Sequence, residues 1–415
     1  MDAITIIGFI GVLLIIGFIA DYLFQKISLP DILILLALGY LIGPVFDIIN
    51  PADIAPASPI ISSLALAVIL FNGGMSLEFA HIKGAAPRAV GLVFLGIALS
   101  MVATAAFAHY LMDWDVLNSL LLGAIVGGSS PSVIMCLVNR VKVSAQVSSM
   151  LSLESAFNGA LVIVIAIIIL NIIVSGGTTE GAATTVGLSI LTRVLIGGSI
   201  GAAAGIFWLW VLTLIEGETY DDILTLAVVF LLYFCVETIE GSGVIFALVF
   251  GLILGNGIAV ARLLHIKRAV EIHELMRKFH AQMSFLIKTF FFIYLGLMAT
   301  FDNPSHILLG VVLCLVLLLV RYLAVLLTSI GNKTLLSNKG ILTSMYARGL
   351  SAAVVAELVV LSGIPNASVY PDIIIVVIVG TIVISSLGIV IFARKKSPAE
   401  AATAEINPPN ETLLG

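Results

Sequence analysis

The sequence predicts an all-α polytopic membrane protein of about thirteen transmembrane helices, with an inverted repeat and two crossed, interrupted helices at its centre. Three observations carry this expectation. The 415 residues are 60% hydrophobic and only 10% charged, with a mean hydropathy of +1.21, outside the range of soluble globular domains. The apolar runs are of helix-spanning length, about 20 residues. They lack the alternating, roughly ten-residue pattern of an outer-membrane barrel strand.

Hydropathy and helix breakers place the spans at 4–24, 31–46, 59–78, 87–112, 116–139, 147–174, 187–215, 221–239, 243–260, 281–300, 305–330, 339–362 and 371–394. The first apolar run follows Met1 with neither a basic region before it nor a small-residue cleavage site after it, which predicts a retained helix. Span 2 is short and bracketed by Pro30 and Pro44, so a tilted or partly re-entrant helix is expected.

Orientation follows from the basic residues. Lys26, Lys83, Arg88, Arg140, Lys142, the cluster Arg262 to Lys278, Lys333, Lys339 and Arg394 to Lys396 all fall on one side. The alternate loops 47–58, 113–115, 175–186 and 363–370 contain no Lys or Arg. The positive-inside rule therefore sets the amino terminus outside and the carboxyl terminus in the cytoplasm of a cell-membrane protein. Residues 397–415 are polar and Pro-containing, the composition of a disordered cytoplasmic tail.

The stretch 261–280 is polar and amphipathic and reads as a cytoplasmic surface helix linking two bundles. Its His265, His273 and His280 titrate in the physiological range, which admits a pH-sensing role. Cys136, Cys235 and Cys314 lie within spans at no metal or redox spacing, as small buried hydrophobes do.

The inverted repeat is read from spans 5 and 12. Span 5 carries Gly-Gly-Ser-Ser-Pro at 127–131 and span 12 carries Ala-Arg-Gly-Leu-Ser at 347–351, small polar residues at mid-depth in helices that run in opposite directions. Pro131, Arg348 and Gly349 mark the expected crossing. Glu154, Lys288, Arg321, Arg348 and Ser130 all lie roughly 10 to 14 Å from the cytoplasmic edge, at about 1.5 Å per helical residue, so they share one layer. Intramembrane charges face the interior and pair, which predicts a Glu154–Arg321 ion pair with Arg348 nearby. Asn158 lies one helical turn from Glu154, and with Ser155, Ser129, Ser130 and the carbonyls freed by Pro131 it offers oxygen ligands for a partly dehydrated cation. Glu357 and Glu237 are expected near the outer interface and Glu78 near the inner one.

These motifs resemble the cation/proton antiporter superfamily, closest to the prokaryotic sodium/proton antiporters of the NhaP kind. The resemblance rests on Leu-Pro-Asp-Ile-Leu at 29–33 with Gly43-Pro44, Leu-Glu-Ser-Ala-Phe-Asn at 153–158, Lys-Thr-Phe-Phe-Phe at 288–292 and Ala-Arg-Gly-Leu-Ser-Ala-Ala at 347–353. It implies a homodimer in which a core domain, here around 59–174 and 281–394, moves against a dimerisation domain around 1–46 and 187–260, with 261–280 as the linker. Glu154 and Arg321 match the family's structural ion pair, and Arg348 its arginine at the crossing. Two positions depart from the pattern: the family's broken helix usually reads Thr-Asp-Pro where this chain has Ser129-Ser130-Pro131, and its binding helix usually reads Asn-Asp or Thr-Asp where this chain has Asn158-Gly159. The missing aspartate is the family's exchanging carboxylate.

The expected function is secondary antiport of a monovalent cation, sodium or potassium, against protons by alternating access. Ser129, Ser130, Ser155, Asn158 and Gly159 form the translocation site, and Glu154 or another acid is the titrating group. A net charge of plus two in the layer, from Glu154 against Lys288, Arg321 and Arg348, raises the alternatives of a carrier for a small anion or weak acid and of a non-transporting homologue. Lys288 is an accessory candidate. No nucleotide loop, metal cluster or nucleophile constellation is present, so no enzyme, cofactor or nucleic-acid partner is expected, and no metal beyond the transported cation.

Overall fold

The computed structural model describes residues 3–27, 30–50, 56, 58–77, 87–138, 143–175, 182–215, 220–263, 274–299, 301 and 303–393. Residues 264–273 of the predicted linker, His265 and His273 among them, the tail and Glu78 lie outside the described residues. Every regular element among the described residues is helical.

The chain opens with α1 (Ala3–Ile27), α2 (Asp31–Tyr40), which runs on into a π-helical turn at Leu41–Val45, α3 (Ser58–Met75) and α4 (Pro87–Leu111). Span 5 is split into α5 (Val116–Ile125) and α6 (Pro131–Val138), and α7 (Ala145–Val174) follows. Next come α8 (Ala182–Leu214), α9 (Asp221–Thr238), α10 (Gly243–Gly255), α11 (Gly257–Leu263), α12 (Glu274–Met298) and α13 (Pro304–Ser329). Two short helices, α14 (Lys333–Ser337) and α15 (Lys339–Ser344), precede α16 (Leu350–Ser362) and the last helix, α17 (Val369–Ala393). Polar side chains start several of these helices. Asp115 accepts from the N–H groups of Leu117 and Asn118, Ser144 from that of Val147 and Ser242 from that of Ile245, satisfying donors that have no partner inside the helix.

Six helices among the described residues are long and apolar enough to cross a membrane, or seven if a bent pair counts as one, and five shorter apolar helices accompany them. Among the described residues, several of the expected spans are short or broken helices. Span 9, expected at 243–260, is bent: α10 and α11 meet at 82°. Asn256 stands at that bend, and its amide donates to the carbonyls of Leu77 (2.6 Å) and Leu252 (2.8 Å).

Glycines set two close helix seams. A Cβ on Gly251 of α10 would lie 2.9 Å from the Phe71 carbonyl carbon of α3, and one on Gly296 of α12 would lie 3.0 Å from that of Leu36 in α2. Only a residue without a side chain lets the backbones approach so closely. Packing thus joins α3 to α10 and α12 to α2, whereas the sequence-based division grouped α3 and α12 with the broken helices. Hydropathy does not register which helices meet through glycine.

The segment Glu274 to His280 belongs to the start of α12 rather than to a surface linker. His280 is fully buried, edge-on to Phe71 and Phe279 at 5.0 and 5.3 Å between ring centroids.

Candidate ion-translocation site

The two broken spans meet at their breaks. At the first, the chain leaves α5 after Ile125, passes Gly127 and Gly128, and re-enters a helix at Pro131, which has no N–H to leave unpaired in the first turn. A Cβ on Gly128 would sit 2.8 Å from Val162 Cγ2 of α7, so glycine admits the close passage. The second break, residues 345–349, lies between α15 and α16. Ser130 N–H donates to the Ala347 carbonyl at 2.8 Å, tying one break to the other. A Cβ on Gly349 would fall 2.8 Å from Ser130 Cβ. Side chains of α17 take up the freed backbone donors: Arg348 N–H donates to Thr381 Oγ1 (3.0 Å) and Tyr346 N–H to Ser385 Oγ (3.4 Å). Non-helical backbone at membrane depth survives only when it is satisfied in this way.

Behind the crossing, Arg321 grips Glu154 with two parallel bonds, Nη1 to Oε1 at 2.6 Å and Nη2 to Oε2 at 2.7 Å. Arg321 Nε also donates to the Leu342 carbonyl at the end of α15 (3.1 Å). Asn158 Nδ2 donates to Glu154 Oε1 (2.6 Å) and to Ser129 Oγ (3.2 Å), and Ser129 Oγ donates to Glu154 Oε1 (3.4 Å). Glu154 is 1% exposed and saturated with donors. The ion pair therefore pins α7, α13, α15 and the first break into one body.

The predicted layer changes at Lys288. Its Nζ donates to Asp31 Oδ2 of α2 at 2.5 Å, so it does not join the Glu154 cluster. Counting Asp31 and Glu154 as −2 and Lys288, Arg321 and Arg348 as +3, the buried group carries plus one rather than plus two. The excess sits on Arg348, which is 4% exposed, lies 5.9 Å from the Tyr346 ring centroid and leaves its Nε without a hydrogen-bond acceptor.

A cavity of about 1060 Å³ reaches the crossing. It is lined by Ser130 of the first break and Ser132, Ser152, Gly159 and Ser351 of α6, α7 and α16, together with Asn72, Gln282, Ser284 and Lys288 of α3 and α12. Of the five predicted translocation residues, Ser130 and Gly159 line it. Ser129 and Asn158 are buried behind it with Glu154. Ser155 is fully buried and donates to the Ser152 carbonyl of its own helix (3.2 Å), so it does not join them. Asn158 Oδ1 is buried without a donor.

Sequence reasoning missed Asp31, although an acid directly after Pro30 at the start of an apolar run was a readable signal. It also set Glu357 near an interface. Glu357 is instead 4% exposed inside the protein and accepts from Tyr294 OH at 2.9 Å, joining α16 to α12. Glu237, exposed near the end of α9, accepts the Gly243 N–H (2.8 Å).

Broken helices crossing at the end of a cavity between two helix groups define a polytopic membrane carrier rather than an enzyme. The chain belongs to the sodium/hydrogen exchanger transmembrane family, which matches residues 10–395. The K(+)/H(+) antiporter NhaP2 of Shewanella oneidensis is 26% identical over 433 residues, covering 99% of this chain and 72% of that protein. A probable Na(+)/H(+) antiporter 2 of Methanocaldococcus jannaschii is 24% identical over 371 residues, 86% of this chain and 85% of that one. The fold is that of the sodium proton antiporter MjNhaP1 from the same archaeon, solved at pH 8, with a TM-score of 0.74, 23% identity and coverage of 95% and 97% of the two chains. The resemblance read from the motifs is borne out, as is the all-helical membrane fold.

Proposed function

We propose that the protein exchanges a monovalent cation, potassium or sodium, for protons across the cell membrane by alternating access. The observation that carries this reading is the cavity that ends on the crossing, where Ser130, Ser132 and Ser351 present hydroxyls beside backbone freed from helical bonding. Family membership and relatives named as antiporters support it.

In this reading α1–α3 and α8–α12 form the static, dimer-forming group. The moving group is α4–α7 with α13–α17, held together by Glu154 and Arg321. The cavity approaches Ser148 at the start of α7 and Lys278 at the start of α12, the ends that the positive-inside rule sets in the cytoplasm. The state described is then open to the inside, with the Tyr294–Glu357 bond closing the outer side. Ser130 and Gly159 line the path, and Ser129, Asn158 and Glu154 hold its wall.

Reconstitution into proteoliposomes with a pH-sensitive dye tests the proposal. Addition of potassium or sodium is expected to drive protons across the membrane, and no cation-dependent proton movement at acid or alkaline pH would refute it. A second reading, a carrier of small anions or weak acids, draws on the uncompensated charge of Arg348 and on a described cavity lining without Asp or Glu. Uptake of a labelled weak acid that is lost on Arg348→Gln, with no cation exchange in the wild type, would favour it instead.

A further inference from the structure

We propose that Asp31 and Lys288 are the proton-exchanging couple of this cavity; the inference rests on the antiport reading and names the groups that carry it out. An antiporter needs a group that yields its proton when the cation arrives. Glu154 is a poor choice, since both its oxygens are held by Arg321, and one of them also accepts from Asn158. The ionisable side chains on the described lining are Lys278 and Lys288. Lys278 is exposed near the inner end of α12. Lys288 lies deeper, its side chain 14% exposed to the cavity, with its ammonium on an Asp31 carboxylate that is 2% exposed.

The pair stands beside the crossing. Ile32, next to Asp31, brings its Cδ1 within 3.7 Å of where a Cβ on Gly349 would be. Ser130, Gly159 and Ser351 line the same cavity as Lys288 and contribute no charge.

The other ionisable groups on the surrounding elements can be named. Those on α12 itself are Glu274, whose side chain lies outside the described residues, Arg277, Lys278 and His280 toward one end and Tyr294 toward the other. Asp221 and Asp222 open α9, which also carries Tyr233, Cys235 and Glu237 toward its far end; Glu357 on α16 is bonded to Tyr294, and Tyr40 ends α2. From α1 comes Tyr22, while the side chains of Asp21 and Lys26 lie outside the described residues. The cavity residues on α3 and just after it, Asn72 and Ser76 among them, are uncharged, and Phe285 lies with its ring centroid 5.7 Å from Lys288 Nζ. Lys288 joins the buried Asp31 carboxylate to the cavity.

The step balances without any further reactant. A monovalent cation entering the cavity binds the Asp31 carboxylate in place of the ammonium, and Lys288 Nζ gives one proton to cavity water. The couple passes from carboxylate and ammonium to carboxylate, cation and neutral amine. One positive charge enters and one leaves, and the reverse order reloads the site. The exchange step thus resides on the α2–α12 wall, and the broken helices supply uncharged oxygens to the same cavity.

Lys288→Arg separates this role from a structural one. Arginine keeps the ion pair and its charge but has no proton to give up near neutral pH. In proteoliposomes, Lys288→Arg and Asp31→Asn are expected to lose cation-driven proton movement down to the protein-free background, with Lys288→Arg retaining the wild-type melting temperature. A Lys288→Arg protein that exchanges with the wild-type rate and pH profile overturns the proposal while the antiport reading stands. A wild type that exchanges no cation overturns both. Proton release from purified protein in weakly buffered detergent on adding potassium or sodium chloride gives a second readout should Lys288→Arg misfold. Release is expected from the wild type and not from Asp31→Asn, and release that persists in Asp31→Asn refutes the couple.

Discussion

The backbone N–H of Ser130 donates to the carbonyl of Ala347 at 2.8 Å, joining two unwound segments 217 residues apart in the chain (347 − 130). Everything that reaches the end of the cavity meets this junction, and its tightness depends on Gly349. Replacing Gly349 with Ala puts a methyl group 2.8 Å from Ser130 Cβ. The expected cost is about 1–3 kcal/mol of overpacking, seen as a lower melting temperature in detergent together with slowed exchange. An unchanged melting temperature would mean the junction has more room than its geometry implies.

Removing half of the buried ion pair should be worse than removing all of it. Glu154→Gln leaves the Arg321 guanidinium buried without its countercharge, a loss of about 3–5 kcal/mol. The double replacement Glu154→Leu with Arg321→Met strands no charge and should retain more folded protein than either single change. Thermal denaturation of Glu154→Leu, Arg321→Met and the double variant, read as a double-mutant cycle, checks the order.

Tyr294→Phe removes the hydroxyl donated to Glu357 across α12 and α16. Loss of a donor to a buried carboxylate costs about 1–3 kcal/mol in the state that makes the bond. If that bond closes the outer side, the variant should spend more time open outward. Reagent access to a cysteine introduced on the outer face of the cavity would rise, and equal access would show that the bond is no gate.

Gly159→Asp tests whether the cavity accepts a carboxylate. A Cβ there would meet only Pro131 Cδ and Cγ at 3.8 and 3.9 Å, ordinary contact distances, so the side chain has room. A new negative charge facing the crossing should lower the half-saturating cation concentration of exchange, and Ser130→Asp should add to the effect. Half-saturation unchanged from the wild type in both variants would place the cation elsewhere along the wall.

The sequence made some of this arrangement readable and hid the rest for physical reasons. Gly127, Gly128 and Pro131 announce a broken helix because backbone chemistry is local, and the Glu154–Arg321 pairing follows from two charges at one depth in an apolar medium. The partner of Lys288 was not legible in that way, since Asp31 sits 257 positions away at a helix start where an acid also reads as an interface residue. Nor was the grouping of α3 with α10 and of α12 with α2, because Gly251 and Gly296 leave no hydropathy signal while deciding which backbones touch. Ser155 shows the opposite error: a hydroxyl at the right depth turned to its own helix carbonyl, as isolated serines in apolar helices do.

The buried, uncompensated charge of Arg348 has one more effect. A fixed positive charge beside a passage repels a divalent ion with twice the energy it imposes on a monovalent one at the same distance. Calcium and magnesium also carry hydration shells they surrender reluctantly, and Ser130, Ser132 and Ser351 offer them no formal negative charge in exchange. The crossing would therefore sort ions by valence before size or ligand geometry comes into play, and competition by divalent ions should be weak even at concentrations well above that of the transported cation.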